Sequence, residues 1–286
     1  MKNNWSLSTL VKDLITYNQS SPTPREVIWA TDLGKMYLET YLKMKGVPYT
    51  NPTDGNGMFN FFMGKAIENG LTQMLTDCGI AHSTQEKIEI KLPNCLTVVG
   101  KPDVLLEVIN WDETIKQINI TSDDGNEERL EAKKQKLIEL VKGWQKKYPD
   151  GLSKTAFEIK STSDWGFQNA QRVGWKQAYP HYFLQAYTYL YGLNLPEVHL
   201  LFISKGSKMM TEEIVILKNE EAEQEWREEI EKISSNFAKD TEPTPPALMS
   251  VNGWGKETLS WQIQYSPYRT HILNKYYPDY EDYKNI

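Results

Sequence analysis

Two short words carry most of the chemistry in this 286-residue chain: GKPD at 100–103 and EIK at 158–160. Each sets charged groups beside an apolar, strand-like run. Side chains alternate faces along a strand, so Glu158 and Lys160 share one face while Ile159 turns to the other. If a strand bearing Asp103 lies alongside, two carboxylates and an ammonium converge. Clustered carboxylates are costly without a cation, and their hard oxygens suit Mg²⁺ or Mn²⁺ better than a structural zinc. Asp103 and Glu158 are the expected central ligands, joined by the Ile159 backbone carbonyl, which contributes an oxygen without a side chain. A divalent ion there polarises a phosphodiester, generates hydroxide and stabilises the leaving oxygen. Lys160 would orient the attacking water or offset charge developing on the phosphoryl oxygens. Singly, both words also read as a surface Asp and a solvent-facing Glu–Lys pair.

Glu68 offers a third acid and a candidate additional ligand. It lies in GKAIENG, one helical turn beyond Gly64, where a small residue permits close approach of a strand or of the substrate backbone. A partly exposed helix carboxylate has the same appearance.

These residues need elements to position them. Residues 5–19 read as a short helix with Ser6 or Ser8 as cap, followed by the breaker-rich SSPTP at 20–24. From Arg25 to Lys45 apolar residues recur at mostly helical intervals, with Gly46 as the stop. A turn at 51–57 leads into a helix carrying Phe61, Phe62, Ala66, Leu71, Met74 and Leu75. KIEIKLP at 87–93 alternates like a half-buried strand, and LTVVGKPDVLLEVI at 96–109 reads as two strand pieces around a turn at Gly100–Pro102. TAFEIKS at 155–161 and VHLLFISK at 198–205 are further strands, and EEIVILK at 212–218 is placed to form a hairpin with the latter. Helices are expected from Gly174 or Pro180 to Tyr191 and over 220–237. Between the strands, 111–151 holds the polar loop TSDDGNEE and a helix at 127–148 with one apolar seam of Leu130, Leu137, Val141 and Trp144. The expected division is a main domain over 1–241 with a helical insertion at about 111–151, then a proline-rich connector and aromatic extension over 242–286, packed on the core.

Composition sets limits. With 40% hydrophobic residues the chain can bury a substantial core. It has no run of about 18 uncharged apolar residues, and MKNNWSLSTLVKDL lacks an apolar segment followed by a cleavage site. A cytoplasmic protein with no membrane partner is the expectation. Two cysteines, Cys78 and Cys95, exclude a disulfide framework, a four-cysteine zinc site and an all-cysteine iron–sulfur cluster within one chain. A formal charge of -6 is unlike a non-specific nucleic-acid coat, although a local basic rim can still engage phosphates. Four scattered histidines do not make the histidine-rich centre of a small-phosphoester hydrolase, and no P-loop is present to supply an ATP motor.

The order Glu68, GKPD, EIK and QAYTY resembles the PD-(D/E)XK nuclease superfamily, in particular its RecB-type branch with the CRISPR-associated and phage exonucleases. The resemblance spans about residues 60–192. It implies an α/β fold with a restriction-endonuclease-like core, a central mixed sheet flanked by helices. It matches Glu68 to the family's helix glutamate, Asp103 to its metal-binding aspartate, Glu158 and Lys160 to its E-x-K strand, and Gln185 and Tyr189 to its Q-x-x-x-Y helix. Gln185 and Tyr189, one turn apart, can bond phosphate oxygens or hold the metal ligands, with a core aromatic as the alternative for Tyr189. The early and late cysteines of the iron–sulfur members have no counterpart, so a cluster-free form using Mg²⁺ or Mn²⁺ is expected. Asp103 and Glu158 stand 55 residues apart, farther than is usual in the family, so 111–151 must leave and return between neighbouring strands. Each doubling of such a loop costs only about 0.6 kcal/mol.

Around this centre Arg172 and Lys176 are candidate phosphate contacts, Trp165 and Phe167 candidate stacking residues, and His181 a candidate auxiliary group one turn before Gln185. The expected activity is metal-dependent DNA exonuclease chemistry in recombination, repair or phage DNA metabolism. An endonuclease and a non-catalytic DNA-binding or assembly protein are the alternatives. DNA is the expected partner, together with a further copy of the chain or a recombination or helicase partner protein.

Overall fold

A computed structural model of the chain describes residues 7–17, 20–120, 127–206, 210–251 and 256–280. It has a mixed α/β architecture with several β-sheets flanked by helices. The chain divides into two compact units: Met1–Phe62 with Lys91–Val98 and Arg227–Ile286, and Met63–Ile90 with Val99–Trp226.

In chain order the first elements are α1 (Leu7–Tyr17), β1 (Val27–Trp29), α2 (Tyr37–Met44), α3 (Gly55–Asp77), β2 (Ala81–Thr84), β3 (Ile88–Ile90), β4 (Thr97–Gly100) and β5 (Val104–Val108). After them come α4 (Trp111–Gln117), α5 (Glu127–Lys147), β6 (Leu152–Thr162), α6 (Asp164–Val173), α7 (Trp175–Ala178), α8 (Pro180–Gly192), β7 (Glu197–Ser204) and β8 (Thr211–Leu217). The last are α9 (Glu220–Ala238), β9 (Met249–Val251), β10 (Glu257–Leu259), α10 (Trp261–Gln264) and α11 (Arg269–Tyr276).

In the first unit the single helix expected from Arg25 to Lys45 is replaced by β1, a 3-10 turn over Ala30–Asp32 and the shorter α2. The cause is Asp32. Its Oδ2 accepts from the Trp29 amide at 2.9 Å and from the Arg25 guanidinium at 2.8 Å, which ties the preceding segment back in a turn. The apolar face of α2, with Leu38, Tyr41 and Leu42, packs with Ile263, Tyr268, Ile272 and Leu273 from the C-terminal segment. The aromatic tail is therefore buried in part: Tyr268 is enclosed, whereas Trp261 and Tyr265 are exposed. Ser6 and residues 121–126 of the loop expected at 121–128 lie outside the described residues, and Ser8, the other expected cap, falls within α1 instead of ahead of it.

The second unit is built on a mixed five-stranded sheet in the order β2-β5-β6-β7-β8. β6 lies between antiparallel β5 and parallel β7, and β8 closes an antiparallel hairpin with β7, as expected from EEIVILK. Helix α8 packs on β6 and β7. A parallel neighbour needs a crossover, and the helices α6 to α8 supply it. Strand β2 was not expected: four residues, AHST, carry too little apolar alternation to announce a strand, and pairing with β5 makes it one. Helix α4 was not expected either. It is seven residues long, and the Asn110 side chain caps it by accepting from the amides of Asp112 and Glu113.

Segment 109–151 joins two adjacent strands, so the long gap between Asp103 and Glu158 is a closed excursion. Trp111 anchors its start by donating from Nε1 to the Tyr148 carbonyl at 2.6 Å. Gly151 closes its end, with φ of +89° and the Val108 carbonyl oxygen only 2.0 Å from where a Cβ would stand. A side chain does not fit there. Three of the four seam residues of α5 pack as expected, Leu137 and Trp144 against the cluster in which Val141 is buried among Cys78, Val104, Val108, Trp111 and Ile118; Leu130 is not part of it. Among the described residues no helix is long and apolar enough to cross a membrane.

Candidate functional site

The site lies entirely in the second unit and is assembled by sheet register. Val104 pairs with Phe157, so Asp103, one residue earlier, stands beside Glu158. Asp103 is buried, and its Oδ2 accepts from the Ile159 amide at 2.8 Å. That bond fixes one carboxylate oxygen against the neighbouring strand. Glu158 and Lys160 project to one face as alternation requires, with Lys160 Nζ donating to Glu158 Oε2 at 2.6 Å. Ile159 is buried, and Phe157, two residues before it, packs on the opposite side with the core around Val104 and Trp111.

Helix α8 supplies the support behind the acids. Gln185 Nε2 donates to Glu158 Oε2 at 3.2 Å and lies 3.1 Å from the Tyr189 hydroxyl. Both side chains are buried, Tyr189 completely. Gln185 thus bonds Glu158 from within the core, while Tyr189, fully enclosed with its hydroxyl bonded to Gln185, also has the setting of a core aromatic. The run PHYFLQAYTYLYG is mostly apolar, so the helix sinks against the sheet and takes its two polar side chains with it. Tyr182 adds its ring face, 5.1 Å from the Lys160 ammonium.

Glu158 is fully buried, and its Oε1 has no hydrogen-bond partner. Burial pushes this acid up to about 7; the Lys160 ammonium pulls it down, and the Asp103 carboxylate adds to the rise. Burial alone would depress Lys160, but Glu158 and Asp103 outweigh it and hold the ammonium above its ordinary value. Burial also raises the Tyr189 phenol, with Glu158 adding to it, so the hydroxyl stays neutral.

Glu68 reaches the same place from α3. A Cβ on Gly64 would come within 2.8 Å of Ser161 Oγ, so the glycine marks the close approach of helix to strand that its position suggested. The Glu68 carboxylate accepts from Lys65 on its own helix and from Gln85 Nε2, the latter at 3.0 Å. Gln85 Nε2 also donates to Asp103 Oδ1 at 2.8 Å. Burial raises the Glu68 acid, Lys65 lowers it, and Asp103 raises it further. Gln85 was missed by sequence reasoning. It sits in a short polar stretch after β2 and belongs to no motif.

The remaining candidates are scattered. Phe167 is buried in edge contact with Trp175, ring centroids 5.0 Å apart, because the apolar face of α6 turns it into the core; it cannot stack on a base. Trp165, two residues earlier on the same helix, is 75% exposed. Arg172 donates to Asn169 at 2.9 Å, and Lys176 is paired with Glu225 at 2.6 Å. His181 rests against the Tyr182 ring, centroids 4.1 Å apart.

Among the described residues no group of three His, Cys, Asp or Glu is arranged to hold one metal ion. The acids are instead linked in a chain, Glu68 to Asp103 directly and through Gln85, and Asp103 beside Glu158, with N–H donors on several oxygens. The unsatisfied Glu158 Oε1 and the adjacent Asp103 carboxylate nevertheless fit a hard divalent cation, which would satisfy the orphaned oxygen and offset two close negative charges.

No protein-family model matches the chain. No curated protein matches it either. A solved structure described as the crystal structure of SSO0001 is similar to it at 13% identity and a TM-score of 0.48, covering 91% of each chain.

Proposed function

We propose that the second unit carries the hydrolytic centre of a Mg²⁺- or Mn²⁺-dependent deoxyribonuclease of the PD-(D/E)XK type, on a restriction-endonuclease-like core. The observation that supports this reading best is the convergence of Asp103, Glu158 and Lys160 from segments 55 residues apart, with one Glu158 oxygen left buried and unsatisfied. A buried polar atom without a partner costs about 1–3 kcal/mol, and a ligand to satisfy it is the simplest reason to retain it.

Asp103 and Glu158 would hold the cation, with the Ile159 carbonyl as an oxygen from the backbone and Glu68 joining from α3. When bound, the cation supplies Lewis-acid polarisation of the phosphate and a lowered pKa for its water. The chain's own groups do the rest. Lys160, kept protonated by Glu158 and Asp103, places a fixed positive charge where a phosphoryl oxygen gains negative charge. Gln185 and Tyr189 hold Glu158 in one orientation, so the ligand needs no rearrangement during the reaction. The exposed Trp165, with Arg172 two turns on, offers an aromatic face and a cation to the DNA strand.

The Q-x-x-x-Y helix resembles the exonuclease-rich branch and favours end-dependent cleavage over internal cutting. A cytoplasmic setting in DNA recombination, repair or phage DNA metabolism goes with that reading, as do partners such as a further copy of the chain or a helicase. The test incubates purified protein with end-labelled linear, nicked and closed circular DNA in Mg²⁺, Mn²⁺ or EDTA. Short products from linear DNA, with closed circles spared and EDTA abolishing cleavage, are expected. Cutting of closed circles would replace the exonuclease with an endonuclease. Binding without hydrolysis under every metal condition would leave a DNA-binding protein and end the enzyme reading.

A further inference from the structure

The face of the five-stranded sheet turned away from Glu158 and Lys160 is incompletely covered. Strand alternation sends Phe157 to that face, and Leu201 joins it from β7, where register pairs it with Ile159. Helix α3 brings Leu71, Met74 and Leu75 to the same space, and α5 brings Leu137, Leu140 and Trp144. Between them lies a cavity of about 740 Å³, wholly within the second unit and floored by Phe157 and Leu201. Helix α5 packs on α4, and the Trp111 bond to the Tyr148 carbonyl fixes the chain just past its C-terminal end, so contacts outside the cavity hold this wall in place.

The walls leave apolar surface open to water, with Met74 63% and Leu140 48% exposed, which is unfavourable unless something covers it. The volume falls within the range of about 300–1,000 Å³ found for small-molecule sites, which are mainly apolar with a few placed polar groups. Here the positive groups stand at one end. Lys133 and Lys136 lie one turn apart, ahead of the apolar part of the α5 wall, and among the described residues neither forms an ion pair. Asp77, the acid of the lining, accepts from Gln73 on its own helix at 2.7 Å. From Lys133 to Trp144 the wall runs about 16 Å, the extended length of about a dozen backbone bonds. A peptide helix fits less well: at about 10–12 Å wide it would fill the space with fewer than two turns.

We propose that this cavity binds an aliphatic chain of about 12–14 carbons with an anionic head, the chain between α3 and α5 and the head at Lys133 and Lys136. The inference does not depend on the hydrolytic centre, which lies on the opposite face of the sheet.

Isothermal titration calorimetry of the delipidated full chain tests it, with decanoate, dodecanoate and tetradecanoate each below its micelle concentration. One ion per chain is expected, with affinity rising about tenfold for every two added methylenes. Decanol, neutral and of equal chain length, should bind about fivefold more weakly than decanoate, and K133Q/K136Q should remove that preference. Leu140→Glu and Met74→Glu, both at exposed positions on opposite walls, should each weaken every ligand by about tenfold or more while the melting temperature stays near that of wild type. No saturable binding, several ions per chain, or affinity indifferent to both glutamate variants overturns the proposal. Decanol binding as tightly as decanoate, or a preference that survives K133Q/K136Q, overturns it as well. If no amphiphile binds and sedimentation shows a dimer that Leu140→Glu dissociates, the cavity belongs to a second copy of this chain instead.

Discussion

The acids of the site are held in two contrasting ways. Asp103 and Glu158 sit in the interior of the second unit, where strand register sets them side by side and buried partners from β6 and α8 fix their oxygens. Glu68 sits on a helix with 17% of its side chain exposed, and it meets Asp103 through direct side-chain contact and through the Gln85 amide on a loop. The first arrangement cannot shift without breaking a sheet. The second can shift at the cost of two hydrogen bonds in partial contact with water, each worth about 0.5–1.5 kcal/mol net. The difference separates a preorganised centre from an adjustable flank, and it predicts unequal consequences when each is cut.

The largest effect should come from the buried side. Lys160→Ala leaves Glu158 and Asp103 close together without their ammonium, and it removes the charge that the proposed mechanism sets against the phosphoryl oxygens. Loss of such a group costs about 10²–10³ in turnover, read from initial rates on linear DNA at saturating Mg²⁺. An E68Q variant that lost as much would erase the contrast. Next comes the support from α8. Gln185→Leu should lower turnover by about 10- to 100-fold, as removal of a group that orients a ligand does, while its melting temperature stays near that of wild type.

The pH dependence follows from Glu158. Its acid is raised to about 7, so below that pH it is protonated, and at the proposed metal site a proton would compete with the cation. Mn²⁺ affinity should therefore fall as pH drops from 8 to 6, by about tenfold for one competing proton. In E158Q the residual affinity should lose that dependence. The smallest catalytic effect is expected away from both acids. Gly151→Ala forces a Cβ against the Val108 carbonyl at a left-handed φ. It should lower stability by about 1–3 kcal/mol with little change in turnover per folded molecule. A large catalytic loss at unchanged stability would mean that the 109–151 excursion takes part in the chemistry.

The same contrast governs what could be read from the sequence. Asp103, Glu158 and Lys160 were legible because strand alternation reports which side chains share a face, and a glycine–proline turn reports where one strand begins. The paired strands after the turn, the β7–β8 hairpin and the helix at 127–147 were legible for the same reason, since their apolar periodicities are local. The contacts of Gln85 were not, because they depend on one left-handed backbone angle and on two acids that are remote in sequence. The Arg25–Lys45 segment misled because apolar spacing does not reveal that Asp32 folds the chain back on Arg25 and Trp29. Phe167 and Trp165 differ by two positions in one short helix, and which of them faces the core depends on the sheet beneath. Gln185 and Tyr189 were placed on the correct helix. That they face inward follows from the density of apolar residues around them, a property of packing more than of spacing.

The most direct test of the proposed hydrolytic centre is single-turnover cleavage of end-labelled linear DNA by wild type and Asp103→Asn at saturating Mg²⁺. Asparagine keeps the size of the side chain and one carbonyl oxygen but removes the negative charge. Wild type should release short products and lose that activity in EDTA, while D103N should still bind the DNA and cleave it about 10³-fold more slowly or less. Cleavage by D103N within a few-fold of wild type would contradict the assignment of the centre to Asp103, Glu158 and Lys160.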